Sequence, residues 1–192
     1  LIMQITKFVE KVFAGKFRKT GEPYVTHLHA VHDILLEAGV EDQYILDAAL
    51  LHDVLEDTSI TKECIEQNFG KVVTQMVITL SKEPMWHTSY CKFKSYLYSL
   101  ESCAMYYPEV ILIKMADRLH NLMTIEVFDF QKQVEYIEET EYYLFPVFRK
   151  AMHFAPCKKP FMIIFRQLER EIKHIKNYIL IPQNEKHPQG VS

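Results

Sequence analysis

The chain has 192 residues, of which 48% are hydrophobic and 24% charged, and carries a formal net charge of −3 at pH 7. That length and balance fit a single folded domain with a full core and exclude a largely disordered chain. The negative balance argues against a nucleic-acid partner. The lack of any ~20-residue apolar run or signal-peptide pattern argues against a membrane partner.

Glycines are few, five in all, and apolar residues recur with a 3.6-residue period, which predicts an all-α, single-domain fold. A first helix is expected over about 3–13, ending at Gly15, followed by a loop from Gly15 to Pro23 punctuated by Gly21. Thr26 is expected to cap the next helix, whose apolar positions Leu28, Val31, Ile34 and Leu35 run to a stop at Gly39. Asp42 then caps a helix from Ile45 to Leu55, and Thr61 starts a short one ending at Gly70, with another over Val72 to Leu80. Ser81 to Thr88, with Pro84, reads as a loop near the site. Helices over about 89–106 and 109–125 meet at Pro108. The last two patterns, 131–154 and 161–180, flank a turn at Pro156 to Pro160, and Pro146 should kink or break the first of them. Residues 1–180 form the expected domain and 181–192 a mobile tail. The cysteines at 64, 91, 103 and 157 form no Cys-x-x-Cys pair, which fits reduced, mostly buried thiols in a cytoplasmic protein.

The segment Leu50-Leu51-His52-Asp53-Val54-Leu55-Glu56-Asp57-Thr58 crowds an imidazole and three carboxylates together. On a helix, Asp53 lies over both Glu56 and Asp57, a like-charge arrangement that costs roughly 0.2–0.5 kcal/mol per exposed pair. A divalent cation would convert that repulsion into ligation. Two residues from other predicted helices complete a ligand set: His27, at the start of the second, and Asp117, within a strongly apolar one. Two histidines and two aspartates without a thiolate favour Mn²⁺, or a related ion such as Mg²⁺ or Fe²⁺, over structural zinc. Lys114, Asp117, Asn121 and Thr124 form a polar stripe on that apolar helix, as the wall of a cleft would. A metal with open positions activates water and polarises a phosphoryl oxygen, and Glu56 or Asp57 could orient or deprotonate that water. The chemistry expected is phosphohydrolysis. Lys16-Phe17-Arg18-Lys19 is a local basic patch suited to an anionic small molecule.

These motifs resemble the HD-domain superfamily of metal-dependent phosphohydrolases, and more closely the hydrolase domain of the RelA/SpoT homologues. Arg18-Lys19-Thr20-Gly21-Glu22-Pro23-Tyr24-Val25-Thr26-His27 is similar to that family's Arg-Lys-Ser-Gly-Glu-Pro-Tyr stretch with its first metal histidine. His52-Asp53-Val54-Leu55-Glu56-Asp57-Thr58 resembles its His-Asp-x-x-Glu-Asp-Thr. Lys114-Met115-Ala116-Asp117-Arg118-Leu119-His120-Asn121 resembles its Lys-Leu-Ala-Asp-Arg-Leu-His-Asn. The agreement covers about residues 10–150 and departs at Phe13, Lys16, Leu28 and the stretch from Ser81 to Tyr107.

The resemblance implies a helical fold of roughly eight to ten helices, with His27, His52, Asp53 and Asp117 as Mn²⁺ ligands and Glu56 and Asp57 serving the attacking water. It places Arg18, Lys19, Thr20, Tyr24, Asn121 and Thr124 around the nucleoside of a nucleotide substrate, Arg18 against the guanine face. The implied reaction removes pyrophosphate from the 3′ position of guanosine tetra- or pentaphosphate, leaving GDP or GTP. With 192 residues, the chain has no room for the synthetase and regulatory domains of the long family members, so a stand-alone small hydrolase or an excised domain is expected. The alternatives are an HD phosphohydrolase for another nucleotide, such as a dNTP or NADPH, and a non-catalytic nucleotide sensor.

Overall fold

A computed structural model describes residues 2–81 and 89–180, and among these the fold is all-α. The expected loop over 81–88 and the tail over 181–192 fall, apart from Ser81, outside the described residues. Helices α1 (Ile2–Val12), α2 (Val25–Glu37) and α3 (Gln43–Leu51) lead into a single turn, α4 (Val54–Asp57), and a long kinked helix, α5 (Lys62–Leu80). They are followed by α6 (Ser89–Tyr106), α7 (Pro108–Met123), α8 (Phe130–Glu139), α9 (Phe145–Phe154) and α10 (Lys159–Leu180). None of them is long and apolar enough to cross a membrane.

The caps explain most boundaries. Asp42 accepts a hydrogen bond from the Tyr44 amide at the start of α3, and Thr61 one from the Cys64 amide at the start of α5. Pro108 opens α7, where its missing N–H costs nothing. Gly70 has φ 84° inside α5, so the two expected helices are halves of one element bent at a left-handed residue. Pro146 has the anticipated effect: α8 ends at Glu139, a wide π-type turn spans Thr140–Leu144, and α9 begins with the proline in its first turn.

Three expectations need correction. Thr26 does not cap α2. The helix starts one residue earlier at Val25, and the Thr26 hydroxyl donates to the Pro23 carbonyl at 2.8 Å. The helix predicted over Ile45 to Leu55 breaks at His52–Asp53. Adjacent residues on a helix point roughly 100° apart, whereas these two side chains converge on one point. The side chain of Cys91 lies outside the described residues; of the other cysteines, Cys103 is buried and Cys64 half-buried, but Cys157 is exposed in the turn between α9 and α10.

Helix α7 is the axis of the fold. It packs against α2, α3, α5, α6, α9 and α10, and Val110, Ile111, Ile113, Met115, Ala116, Leu119 and Leu122 are buried along it. Its remaining polar positions must therefore meet one another or a cleft. The core continues into the C-terminal part through Phe148 of α9, which is fully buried. Phe148→Ala is expected to lower the unfolding free energy by about 3–5 kcal/mol. Chemical denaturation should show this as a shift of a single transition for the whole chain. A separate early transition would mark α9 and α10 as an independent unit.

Candidate metal and nucleotide site

The turn after α3 brings His52 and Asp53 beside His27 from the first turn of α2 and Asp117 from the middle of α7. His27 Nε2 lies 3.5 Å from Asp53 Oδ2 and 3.2 Å from Asp117 Oδ1, while His52 Nε2 lies 3.1 Å and 3.9 Å from the same two oxygens. One ligand atom each from His27, His52 and Asp53 all lie within 4.8 Å of one another. Asp117 closes this group from the side of α7. The sequence-predicted ligand set is thus brought together in space.

The hydrogen-bond pattern fits a cation at this point. His52 Nδ1 donates to the Ala49 carbonyl at 2.7 Å, which leaves Nε2 buried and turned toward the carboxylates, 3.1 Å from Asp53 Oδ2. The cavity here, about 360 Å³, is lined by Asp53, Glu56, Asp57, Asp117 and Glu139 against Lys114, Arg118 and Lys132. Among the described lining residues five carboxylates face three cations, an excess of negative charge that suits a bound cation. A divalent metal is the cofactor that this nitrogen and oxygen set suits.

The electrostatics follow from burial and pairing. Burial alone would raise the Asp117 pKa, but the Lys114 ammonium 2.8 Å away and the neighbouring histidines hold it well below the usual carboxylate range. Burial likewise opposes the charge on His52, yet the Asp53 carboxylate raises its pKa to about 9. In the metal-free protein a proton therefore occupies the nitrogen a metal needs. Divalent-cation affinity should rise about tenfold per pH unit up to about pH 9 and then level off. Calorimetric titration across this range checks it, and a flat profile would remove His52 from the ligand set. The sign for stability is opposite. A raised folded-state pKa stabilises the metal-free fold fully below the ordinary histidine value of about 6.5, and the contribution is lost as pH climbs through about 9.

Tyr24 links this centre to a second cavity. Its hydroxyl lies 2.8 Å from Asp53 Oδ2 and 2.7 Å from Asp57 Oδ2, sharing one hydrogen between them, and its ring stacks on Phe13 with centroids 4.9 Å apart. Burial, then the two carboxylates, raises its pKa and keeps it a donor. The second cavity, about 260 Å³, is lined by Arg18, Lys19, Thr20, Tyr24, Asn121 and Thr124, the full sequence-predicted nucleoside set. Phe17, Ile125, Val127, Phe128 and Tyr136 add apolar surface. Gly21, at φ 88°, closes the tight loop that presents these residues, with its amide on the Arg18 carbonyl and the Arg18 amide on that of Glu22. Arg18 donates to Asn121 Oδ1 at 2.8 Å and Thr124 Oγ1 at 3.3 Å, which fixes its guanidinium plane at the cavity wall. Asn121 donates in turn to Asp117 Oδ1 at 2.6 Å. Among the described residues the buried Thr20 hydroxyl has no hydrogen-bond partner.

Glu56 is exposed and Asp57 half-buried, and both line the larger cavity. Several lining residues were not anticipated. Arg118 donates to Glu139 and lies 3.9 Å from the Tyr136 ring centre. Lys132, Tyr136 and Glu139 come from α8, which only tertiary packing brings here. His120 sits against His27, with Nδ1 atoms 2.8 Å apart, and burial followed by the neighbouring His27 and Arg18 lowers its pKa to about 4. Its place three residues after Asp117 and beside Asn121 was the available signal.

A family model described as HD domain matches residues 6–146, and the chain belongs to that family. Among curated relatives it is 36% identical over 139 residues to a guanosine-3′,5′-bis(diphosphate) 3′-pyrophosphohydrolase of Aquifex aeolicus, covering 72% of this chain and 20% of that protein. It is also 33% identical over 140 residues to a probable GTP pyrophosphokinase of Mycobacterium leprae, covering 73% of this chain and 18% of that one. The chain thus spans a fifth or less of the length of these relatives. The fold is shared with a metazoan SpoT ortholog described as hydrolysing ppGpp, at a TM-score of 0.70 and 24% identity, covering 90% of this chain and 94% of the other.

Proposed function

We propose that the chain is a Mn²⁺-dependent hydrolase that removes pyrophosphate from the 3′ position of guanosine tetra- and pentaphosphate. The observation that carries this reading is the junction of two cavities at Tyr24 and Asn121: one is lined by His27, His52, Asp53 and Asp117, the other by the Arg18-to-Tyr24 loop. A nucleoside in the smaller cavity would direct its phosphates into the larger one. The activities named for these relatives support the same substrate class.

His27, His52, Asp53 and Asp117 would hold the ion, which when bound polarises the phosphoryl oxygen and acidifies a water. Glu56 takes the proton of the attacking water, and Asp57, pinned through Tyr24, orients it. Water adds to the ribose-linked phosphorus, the bond from phosphorus to the 3′ oxygen breaks, and that oxygen takes up a proton from solvent to leave as the 3′ hydroxyl, while Glu56 returns its own proton to solvent. Lys114, Arg118 and Lys132 line the cavity around the departing pyrophosphate. Arg18 stacks on the base and Lys19 adds charge beside Phe128, its ammonium 4.6 Å from the ring centre.

Metal-stripped protein is expected to release no pyrophosphate from ppGpp, with Mn²⁺ restoring turnover better than Mg²⁺. Arg18→Ala should raise KM by about 5- to 150-fold, the loss of a stacking contact of about 1–3 kcal/mol, while changing kcat less. Turnover by the stripped protein would overturn the metal reading, and an unchanged KM would remove Arg18 from the base.

A further inference from the structure

His120 lies outside the proposed ligand set, yet it joins the metal centre to the nucleoside cavity. Its Nδ1 is 2.8 Å from Nδ1 of His27 and 3.3 Å from a terminal nitrogen of Arg18, and the two imidazoles are tilted at 43° with centroids 4.9 Å apart. A guanidinium can only donate, so the contact with Arg18 requires a bare lone pair on His120 Nδ1. The contact with His27 is then a hydrogen bond only if His27 Nδ1 carries the hydrogen. With Nδ1 so occupied, Nε2 is the ring nitrogen left to face the carboxylates, 3.5 Å from Asp53 Oδ2 and 3.2 Å from Asp117 Oδ1. A proton or a divalent cation between them offsets the repulsion of a bare lone pair by two carboxylate oxygens, and the divalent cation takes the proton's place.

We infer that His120 is a positioning residue whose Nδ1 acceptor, set by Arg18, holds His27 in the tautomer that presents Nε2 to a divalent cation. The inference rests on the proposed metal site and not on the identity of the substrate. Its local geometry is rigid: Arg18 is anchored on Asn121 and Thr124, and the Thr124 hydroxyl donates to the His120 carbonyl at 3.2 Å. The two ligand histidines are therefore oriented differently. His52 leans on a backbone carbonyl, whereas His27 leans on a side chain whose other neighbour is an arginine of the nucleoside cavity. Metal binding and occupation of that cavity share this hydrogen-bonded link, so each changes the affinity for the other by the same factor.

The test is titration of the purified chain with Mn²⁺ alone, without nucleotide. His120→Leu is expected to weaken Mn²⁺ binding by about 10–100-fold, the range for loss of a partner behind a ligating histidine. His120→Asn, whose Oδ1 falls near the place of Nδ1 and accepts from His27, should recover most of that loss. Wild-type affinity in a folded His120→Leu chain, or equal losses in the two variants, would overturn the inference. Long-range ¹H–¹⁵N correlation spectra of the metal-free wild type at about pH 8 give a reading independent of how the variants fold. The expected pattern is a protonated Nδ1 on His27 and a bare Nδ1 on His120, and a bare Nδ1 on His27 would overturn the inference. A wild-type chain that binds no Mn²⁺ would overturn the metal site itself, and one that binds Mn²⁺ without hydrolysing ppGpp would leave this inference standing.

Discussion

Asp53→Asn is expected to weaken Mn²⁺ binding by more than about 100-fold, beyond the range typical for a partner outside the ligand set. Asp53 Oδ2 is the meeting point of the centre, 3.1 Å from His52 Nε2, 3.5 Å from His27 Nε2 and 2.8 Å from the Tyr24 hydroxyl. Asparagine preserves the shape of the side chain and removes the charge, so a loss reports on electrostatics and ligation and not on packing. The substitution has a second signature. Because the Asp53 carboxylate raises the His52 pKa to about 9 against the effect of burial, His52 in the variant should titrate well below that value in the metal-free state. Affinity within about tenfold of wild type would place Asp53 outside the metal's ligands.

Glu56→Gln is expected to keep the metal and lose turnover, with kcat falling by about 10²–10⁴-fold, the contribution typical of a positioned general base. Glutamine retains size and hydrogen bonding but cannot take the proton. Glu56 is exposed at the wall of the metal cavity, so the substitution should leave the melting temperature and Mn²⁺ affinity close to wild type. Normal hydrolysis by this variant would transfer the role to Asp57 or remove it from both.

Much of the scaffold was legible because local chemistry decides it. Asp42 and Thr61 cap the helices they were expected to cap, Gly70 bends α5, and Pro146 interrupts the path from α8 to α9. The break at His52–Asp53 was hidden because Leu50, Leu51, Val54 and Leu55 continue an apolar helical pattern across it. The break comes from a tertiary demand, that two adjacent side chains face one point, which periodicity does not encode. The clustering of His52, Asp53 and Asp117 could be anticipated from the crowding of charge around Asp53 and from an aspartate on the apolar helix α7. The residues lining the smaller cavity were expected together from the resemblance of the Arg18-to-Tyr24 loop. The only local signal at His120 is its place between Asp117 and Asn121, and tertiary packing alone sets its ring between His27 and Arg18. Lys132 and Tyr136 carried no local signal, since only the packing of α8 brings them to the cavities.

The central claim is tested most directly by product analysis after incubating the purified chain and Mn²⁺ with ppGpp, pppGpp, dNTPs and NADPH. The account predicts pyrophosphate with GDP from ppGpp and pyrophosphate with GTP from pppGpp, each retaining its 5′ phosphates. Turnover of a dNTP or NADPH alone, or binding of ppGpp without any turnover, would contradict it and assign the same pocket to another nucleotide hydrolase or to a sensor.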